Sequence, residues 1–475
     1  MNLRRGTLFL MTAWAVMLVT GYVLTLVLAR RFPMDDYGDY GLVMSVLLWL
    51  EIVVINGLPV AVQKFTASQP DRAGAILWTA LRLQAVAAAA LVIAGYLAAP
   101  ALAGYFRDGR LAAYFRIAFL NIVFYGFFHL MAAYQNGLGR FRRQAFLLLT
   151  LAFARMGFVV AFVLCMRSIA WALWGNIAGA VLGLIAGVVI LDRGWKGGAI
   201  AAGPLLRFAA PSVLYSLGVT LLLSIDLWSV NRMLGKSAGA VYVASSMVAR
   251  IPYFLVFGLS SAVLPAIASA LAVHDRNKVQ AVLRQAFRFL LMLTAPLAVL
   301  ATVYRKDIMV LLFADRFGSG GAVLGILIWG MVMLSFYILL TTIINAEGRP
   351  AVSFFITLAV VAVDVSLIAV FVPRLGARGA ALATTCSLGL GVLISAWRVR
   401  GDLDVHWSWK PFGRIALASL AAGAIALAIP VRRGWILPVG AAVLGMYALV
   451  LFAAGEISKQ DVVWLLKTDN PRLSE

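Results

Sequence analysis

The sequence predicts an all-α polytopic membrane protein. About fourteen transmembrane helices form two parallel six-helix repeats, an N-lobe and a C-lobe, followed by two extra C-terminal helices. Three observations carry this. Of 475 residues, 63% are hydrophobic and only 12% are charged, where soluble proteins carry about a quarter. Apolar stretches of about 20 residues, the length that crosses a bilayer, recur along the chain. The chain also resembles itself at an offset of about 200 residues.

This composition excludes a soluble globular domain and a disordered chain. The two cysteines, Cys165 and Cys386, both fall in apolar stretches and have no disulfide or metal spacing. Arg4 and Arg5 precede an apolar run from Thr7 to Ala29. That run is too long for a signal-peptide core, so it reads as the first span. The net charge of +21 raises nucleic acid as a partner. In a membrane protein, basic loop ends facing anionic headgroups are the better account, and no nucleic-acid partner is expected.

Taken in order, the expected spans are 7–29, 40–61, 75–98, 112–134, 144–165 and 170–191 in the first lobe. Those of the second lobe are 208–231, 240–271, 287–304, 322–345, 351–372 and 379–397. Spans 413–430 and 435–454 follow as an addition. Each is an apolar run bounded by charges, Gly or Pro. The lobes are read as 1–195 and 196–400, with 401–475 holding the added pair and a cytoplasmic tail. Placing the N-terminus inside puts the larger share of Lys and Arg on the cytoplasmic side, so both termini are expected there. The outer loops are nonetheless basic, with Arg305, Lys306, Arg316, Arg374 and Arg378 among their cations.

The internal repeat rests on matched loops. Arg31 to Gly38 after span 1 parallels Arg232 to Gly239 after span 7, and Gly57-Leu58 parallels Gly258-Leu259. Asn136-Gly137-Leu138-Gly139-Arg140 after span 4 parallels Asn345-Ala346-Glu347-Gly348-Arg349 after span 10. Six spans separate the copies, so both share one orientation. Such repeats are a transporter architecture, with substrate held between the halves.

Several of these segments resemble a known superfamily, that of the multidrug and toxin extruders, lipid II flippases and polysaccharide flippases (the MATE and MOP group). Tyr37-Gly38-Asp39-Tyr40, Asn136 to Phe141, Ala238 to Ala244, Asn345 to Pro350 and Gly376 to Thr384 look like the polysaccharide (lipid-linked oligosaccharide, Wzx-like) flippase branch. The resemblance covers most of 1–400. It implies alternating access between two lobes in a cytoplasmic (cell inner) membrane. It also implies a polyprenyl-pyrophosphate-linked oligosaccharide as cargo for surface polysaccharide synthesis, with membrane lipids and polysaccharide assembly proteins as partners. Two departures bear on lipid II as cargo. Lipid II flippases usually carry an arginine close after the loop tyrosine of span 8, where Ser246 stands here. Span 1 also lacks an arginine.

Charges inside spans are costly and mark function, partners or water. The candidates are Arg82, Arg116, Arg155 and Arg250 against Glu51, Asp226 and Asp364. Arg155 lies about 16 Å into its span, near the midplane. Arg116, near a span end, can snorkel. Arginine offers a planar fork that matches phosphate oxygens. Arg82, Arg155 and Arg250 are therefore the candidate cargo-binding cations, with Asn121, Tyr125 and His129, spaced by four on one helix face, as sugar contacts. The alternative is static pairing of the arginines with the three acids, and interhelical bonding for the polar trio. Glu51, Asp226 and Asp364 are candidates to carry a coupling cation or proton, or else to balance the arginines. Pro252, Pro265 and Pro296 sit inside spans as hinges or fixed bends.

No nucleophile and base pair, phosphate loop or metal motif is apparent, and the three histidines are His129, His274 and His406. Asp35, Asp36 and Asp39 crowd the first outer loop, which is too short for an acceptor site of a glycosyltransferase. No enzyme activity, cofactor or metal is therefore expected. A cation-coupled multidrug exporter of the same fold, or a lipid II flippase, stands as the alternative function.

Overall fold

The computed structural model describes residues 3–191, 198–256, 263, 267, 269, 276–403, 409–429 and 435–456. Pro265, His274, His406, Gly258 and most of 257–275 lie outside the described residues. Among those described, regular structure is entirely helical. Among the described residues, thirteen helices are long and apolar enough to cross a membrane, and a shorter apolar helix covers Pro438–Ala453. The chain is thus an all-α, multi-pass integral membrane protein. Its exterior fits lipid as solvent. Val86, Leu97, Leu393, Trp397, Leu417, Leu427 and Leu449 are exposed, where a water-soluble surface of this length would be polar.

The chain divides into two compact units, Met1–Ala240 and Val241–Glu475. Unit 1 holds α1 (Leu3–Arg31), α2 (Met34–Asn56), α3 (Leu58–Ser68), α4 (Ala73–Tyr105), α5 (Leu111–Gly137) and α6 (Phe141–Met166). It continues with α7 (Ile169–Val189), α8 (Ala202–Leu222), α9 (Ile225–Leu234) and the start of α10 (Lys236–Ala249). The expected second span proves to be two helices. At Gly57 the backbone turns (φ −87°, ψ −103°), and a Cβ there would lie 2.5 Å from the Val53 carbonyl oxygen. Pro59 then starts α3, where its missing N–H is harmless. The seventh span is likewise split, into α8 and α9 at Leu223 and Ser224. Such breaks persist at membrane depth only when protein re-satisfies the freed backbone. Beside them, Asn56 Nδ2 donates to Ser216 Oγ (3.0 Å) and Trp49 Nε1 to the Leu217 carbonyl (3.3 Å).

Glycine sets the closest packing in unit 1. Gly175, Gly179, Gly183 and Gly187 recur every fourth residue on α7. Added Cβ atoms would meet Val159 Cα at 2.6 Å, Arg155 Cα at 2.7 Å, Phe128 at 3.0 Å and Met131 at 3.1 Å. Without side chains along this stripe, α7 approaches the backbone of α6 and the side chains of α5 closely, the small-residue packing that holds helices together in lipid.

Unit 2 holds the rest of α10, then α11 (Arg276–Val303), α12 (Arg305–Phe313), α13 (Gly321–Ala346), α14 (Pro350–Leu375) and α15 (Ala377–Leu403). The added pair, α16 (Trp409–Ala428) and α17 (Ile436–Ala453), packs on α11. Tyr304 donates to the Ala426 carbonyl (2.9 Å) and Tyr447 to the Met292 carbonyl (3.0 Å). Pro296 is carried inside an unbroken α11. Arg250 stands at a turn after α10, and Pro252 is the second residue of the next helical stretch at 251–256.

The repeated loops fold alike. Gly139 and Gly348 both adopt left-handed backbone, with φ +69° and +80°. In each, the glycine N–H bonds back to the asparagine carbonyl, Asn136 (2.8 Å) and Asn345 (3.0 Å). The following arginine N–H reaches Gln135 O (2.9 Å) or Ile344 O (3.3 Å). Both are αL helix terminations that glycine enters without steric cost.

Candidate functional site

In unit 1, Tyr40, Glu51, Asn121, Tyr125, His129, Arg155 and Asn176 form a polar cluster on α2, α5, α6 and α7. The glycine stripe determines its placement, because α7 lies against the backbone of Arg155. Arg155 Nε and Nη2 donate to Asn176 Oδ1 on α7 (3.1 and 2.8 Å). Asn176 Nδ2 in turn donates to the Tyr40 hydroxyl on α2 (3.0 Å) and to the Ala172 carbonyl (2.9 Å). The guanidinium lies 5.5 Å from the Tyr125 ring centroid, a cation–π distance. Tyr125 meets His129 edge to face, with centroids 4.6 Å apart.

Next to these, buried Glu51 accepts from Asn121 Nδ2 at 2.6 Å. The Arg155 charge is close enough to act electrostatically on Glu51, Tyr40, Tyr125 and His129. Neither charge forms an ion pair among the described residues; each is held by a neutral amide. Asn121 Oδ1 and His129 Nε2 have no hydrogen-bond partner among them. Chemically, the cluster offers one guanidinium, one carboxyl group and two open polar atoms on α5.

Of the residues expected from sequence, Asn121, Tyr125, His129, Arg155 and Glu51 are brought together. Arg82 takes no part in these hydrogen bonds; it is exposed on α4 and lies over the Trp78 ring, 4.7 Å from its centroid. Asp226 is buried in the first turn of α9, its Oδ1 accepting from the Leu227 N–H (2.7 Å). A carboxylate there complements the positive helix end. Arg250, half-buried, and fully buried Asp364 on α14 belong to unit 2.

Three contributors lie beyond the residues expected from sequence. Asn176 does carry a signal, an amide set between glycines in an otherwise apolar span. Tyr40 belongs to a segment that reads as a turn motif. Lys236, a loop charge by sequence, reaches Asp39 Oδ2 on α2 (3.0 Å) and also pairs with Asp108 in the α4–α5 loop. Ser237 Oγ donates to Asp35 Oδ1 (2.6 Å). Gly38 makes room for this contact: a Cβ there would lie 2.6 Å from the Lys236 carbonyl oxygen. Burial raises the carboxyl pKa of Asp108, but hydrogen bonds from Lys236 and Arg110 outweigh it and hold Asp108 below its ordinary range.

An all-helical fold of two units with charges held inside its spans is that of a multi-pass membrane protein. Residues 27–319 match the family described as "Polysaccharide biosynthesis protein", and the chain belongs to that family. It is 29% identical over 280 residues to a protein of Bradyrhizobium diazoefficiens named probable multidrug resistance protein NorM, covering 54% of this chain and 57% of that one. It is 20% identical over 219 residues to the probable low-salt glycan biosynthesis flippase Agl15 of Haloferax volcanii, covering 46% of each. The chain thus spans about half the length of the curated relatives it matches. Its fold is that of the lipid II flippase MurJ in an inward closed conformation, with TM-score 0.77 at 17% identity over 95% of this chain and all of the other. A multidrug MATE transporter of the MOP superfamily in an inward-facing conformation gives 0.73 at 15% identity, over 81% and 94%.

Proposed function

We propose that the protein is a flippase for a polyprenyl-pyrophosphate-linked oligosaccharide, acting in surface polysaccharide synthesis at the cytoplasmic membrane with both termini inside. The observation that carries this reading is Arg155, a guanidinium inside the membrane span whose partner is the Asn176 amide. An arginine neutralised by a carboxylate has little left to offer an anion. One held by an amide keeps its charge, and phosphate oxygens fit its fork. In this reading Asn121, Tyr125 and His129 contact the sugar, and Arg82 and Arg250 add positive charge along the route. The family description and the glycan flippase of Haloferax volcanii support it.

A second reading, a cation-coupled multidrug exporter, has its own support. Of the two curated relatives, the one with the higher identity is named a probable multidrug resistance protein. Glu51, held by Asn121, is a buried carboxyl group that forms no ion pair among the described residues. Here Glu51, Asp226 and Asp364 would carry the coupling cation or proton, a role they can also serve in a flippase.

A deletion strain separates the two. On the flippase reading, lipid-linked oligosaccharide accumulates in lipid extracts while surface polymer is lost. Complementation then succeeds with the wild type and fails with Arg155→Gln. Unchanged lipid and polymer, with increased sensitivity to cationic drugs, would replace the flippase by the exporter.

A further inference from the structure

Unit 2 carries a cationic site of its own, remote in sequence from the Arg155 cluster, at one end of its helices. A cavity of about 370 Å³ is lined by Arg305, Lys306, Gly318, Ser319, Gly321, Ala322 and Arg378. Every charged group lining it is a cation. The nearby carboxylates Asp307, next to Lys306, and Asp315, three residues before Gly318, do not line it. Arg305, Lys306 and Arg378 are exposed and make no ion pair among the described residues.

The backbone adds to this charge. Arg305 and Lys306 open α12, Gly321 and Ala322 open α13, and Arg378 is the second residue of α15. Three helix N-termini therefore border the same space, each presenting the positive end of its dipole. A cation in a helix's first turn is unfavourably placed, and this chain sets three of them around one cavity.

Local structure holds the arrangement rigidly. Tyr304, anchored to Ala426, fixes the residue before Arg305. Phe317 is fully buried with its ring 5.7 Å from that of Phe313, fixing the short 3-10 helix Asp315–Gly320. Gly321 could not carry a side chain, since its Cβ would lie 2.9 Å from Lys306 Cα; Gly325 lies as close to Arg305, at 3.1 Å from Cδ. These glycines seat the two cations against the start of α13.

Three unpaired cations at three positive helix ends are stabilised by a bound anion. Two arginine forks and a lysine beside positive helix ends match phosphate better than a carboxylate. The volume falls in the range of small-ligand sites, so it admits a phosphate together with the groups it esterifies. We propose that this pocket binds a phosphate-bearing headgroup, a phosphodiester or diphosphate. The proposal is independent of which cargo the transporter carries.

The test uses the full chain purified in uncharged detergent, with two probes. Inorganic pyrophosphate is titrated while the melting temperature is followed. Retention of phosphatidylglycerol against phosphatidylcholine is measured by native mass spectrometry. Two variants are compared: Arg305→Gln/Lys306→Gln/Arg378→Gln, and Ala322→Glu, which places a carboxylate at the mouth and leaves the cations intact. We expect the wild type to bind at least one probe saturably, and either variant that melts as the wild type does without ligand to bind it at least tenfold more weakly. Protection by pyrophosphate alone identifies a soluble phosphate; selective retention of phosphatidylglycerol alone identifies a lipid. Wild type that responds to neither probe, or variants that bind as tightly as wild type, would overturn the proposal.

Discussion

The charged residues of unit 1 and those at the end of unit 2 are accommodated in opposite ways. In unit 1, Arg155 and Glu51 lie inside the membrane span, and each is oriented by an amide, Asn176 and Asn121. In unit 2, Arg305, Lys306 and Arg378 surround an open cavity with no carboxylate lining it. The difference follows from solvent. Within lipid, a charge without a hydrogen-bond partner costs several kcal/mol, so the protein must supply one. At a helix end, water and ions supply it, and cations can be left for a ligand. An amide partner satisfies geometry without cancelling charge, so both regions remain able to meet an anion.

The comparison breaks most severely if a partner in unit 1 is removed. Lys236→Met would leave Asp39, only 2% exposed, without its ion pair, a loss of about 3–5 kcal/mol. Denaturation of the detergent-solubilised protein would show it as a fall in melting temperature. The same cluster gives a pH dependence. The carboxyl group of Asp108 is held below its ordinary value near 3.8. Its contribution is therefore present above that pH and lost as pH falls through the lower folded value. Lys236→Met should flatten this acid limb of the stability profile.

A smaller effect is expected for Asn176→Leu, which leaves Arg155 and the Tyr40 hydroxyl without their partner. The expected loss is about 2–3 kcal/mol. Asn176→Gln, retaining an amide, should lose less, and the difference between the two measures orientation apart from packing.

The smallest effects sharpen the comparison by testing the repeat. Gly139→Ala and Gly348→Ala each force an alanine into left-handed backbone and should cost about 1 kcal/mol apiece. Nothing crowds either position, so the two losses should match. A large inequality would mean that the two loops, alike in hydrogen bonding, are not alike in energy.

What the sequence discloses and what it conceals divide along physical lines. Span count and the matched Asn-x-x-Gly-Arg loops are local properties of hydropathy and turn chemistry, and both are legible in the order of residues itself. So is the shared face of Asn121, Tyr125 and His129, which follows from helical period. The break at Gly57 is not legible there, because a lone glycine in an apolar run is also compatible with an unbroken helix. Partners are hidden too. Four arginines against three acids suggest pairing by charge, yet Arg155 meets Asn176 and Glu51 meets Asn121. Which side chains meet depends on how closely helices approach, and on α7 that is set by four glycines. Arg305, Lys306 and Arg378 read as scattered loop charges because only the fold brings the starts of α12, α13 and α15 around one cavity.

The flippase reading has Arg155 keep its charge for an anionic headgroup. It is tested most directly in proteoliposomes containing a polyprenyl-pyrophosphate-linked oligosaccharide with a fluorescent sugar, by timing exposure of the label to a membrane-impermeant quencher. The wild type should expose the label, and Arg155→Gln, which retains hydrogen bonding but not charge, should do so at least tenfold more slowly, as expected for loss of a charged hydrogen bond of about 1.5–3 kcal/mol. Equal rates in the two proteins, or a wild type that moves a lipophilic cation and leaves the glycolipid in place, would contradict it.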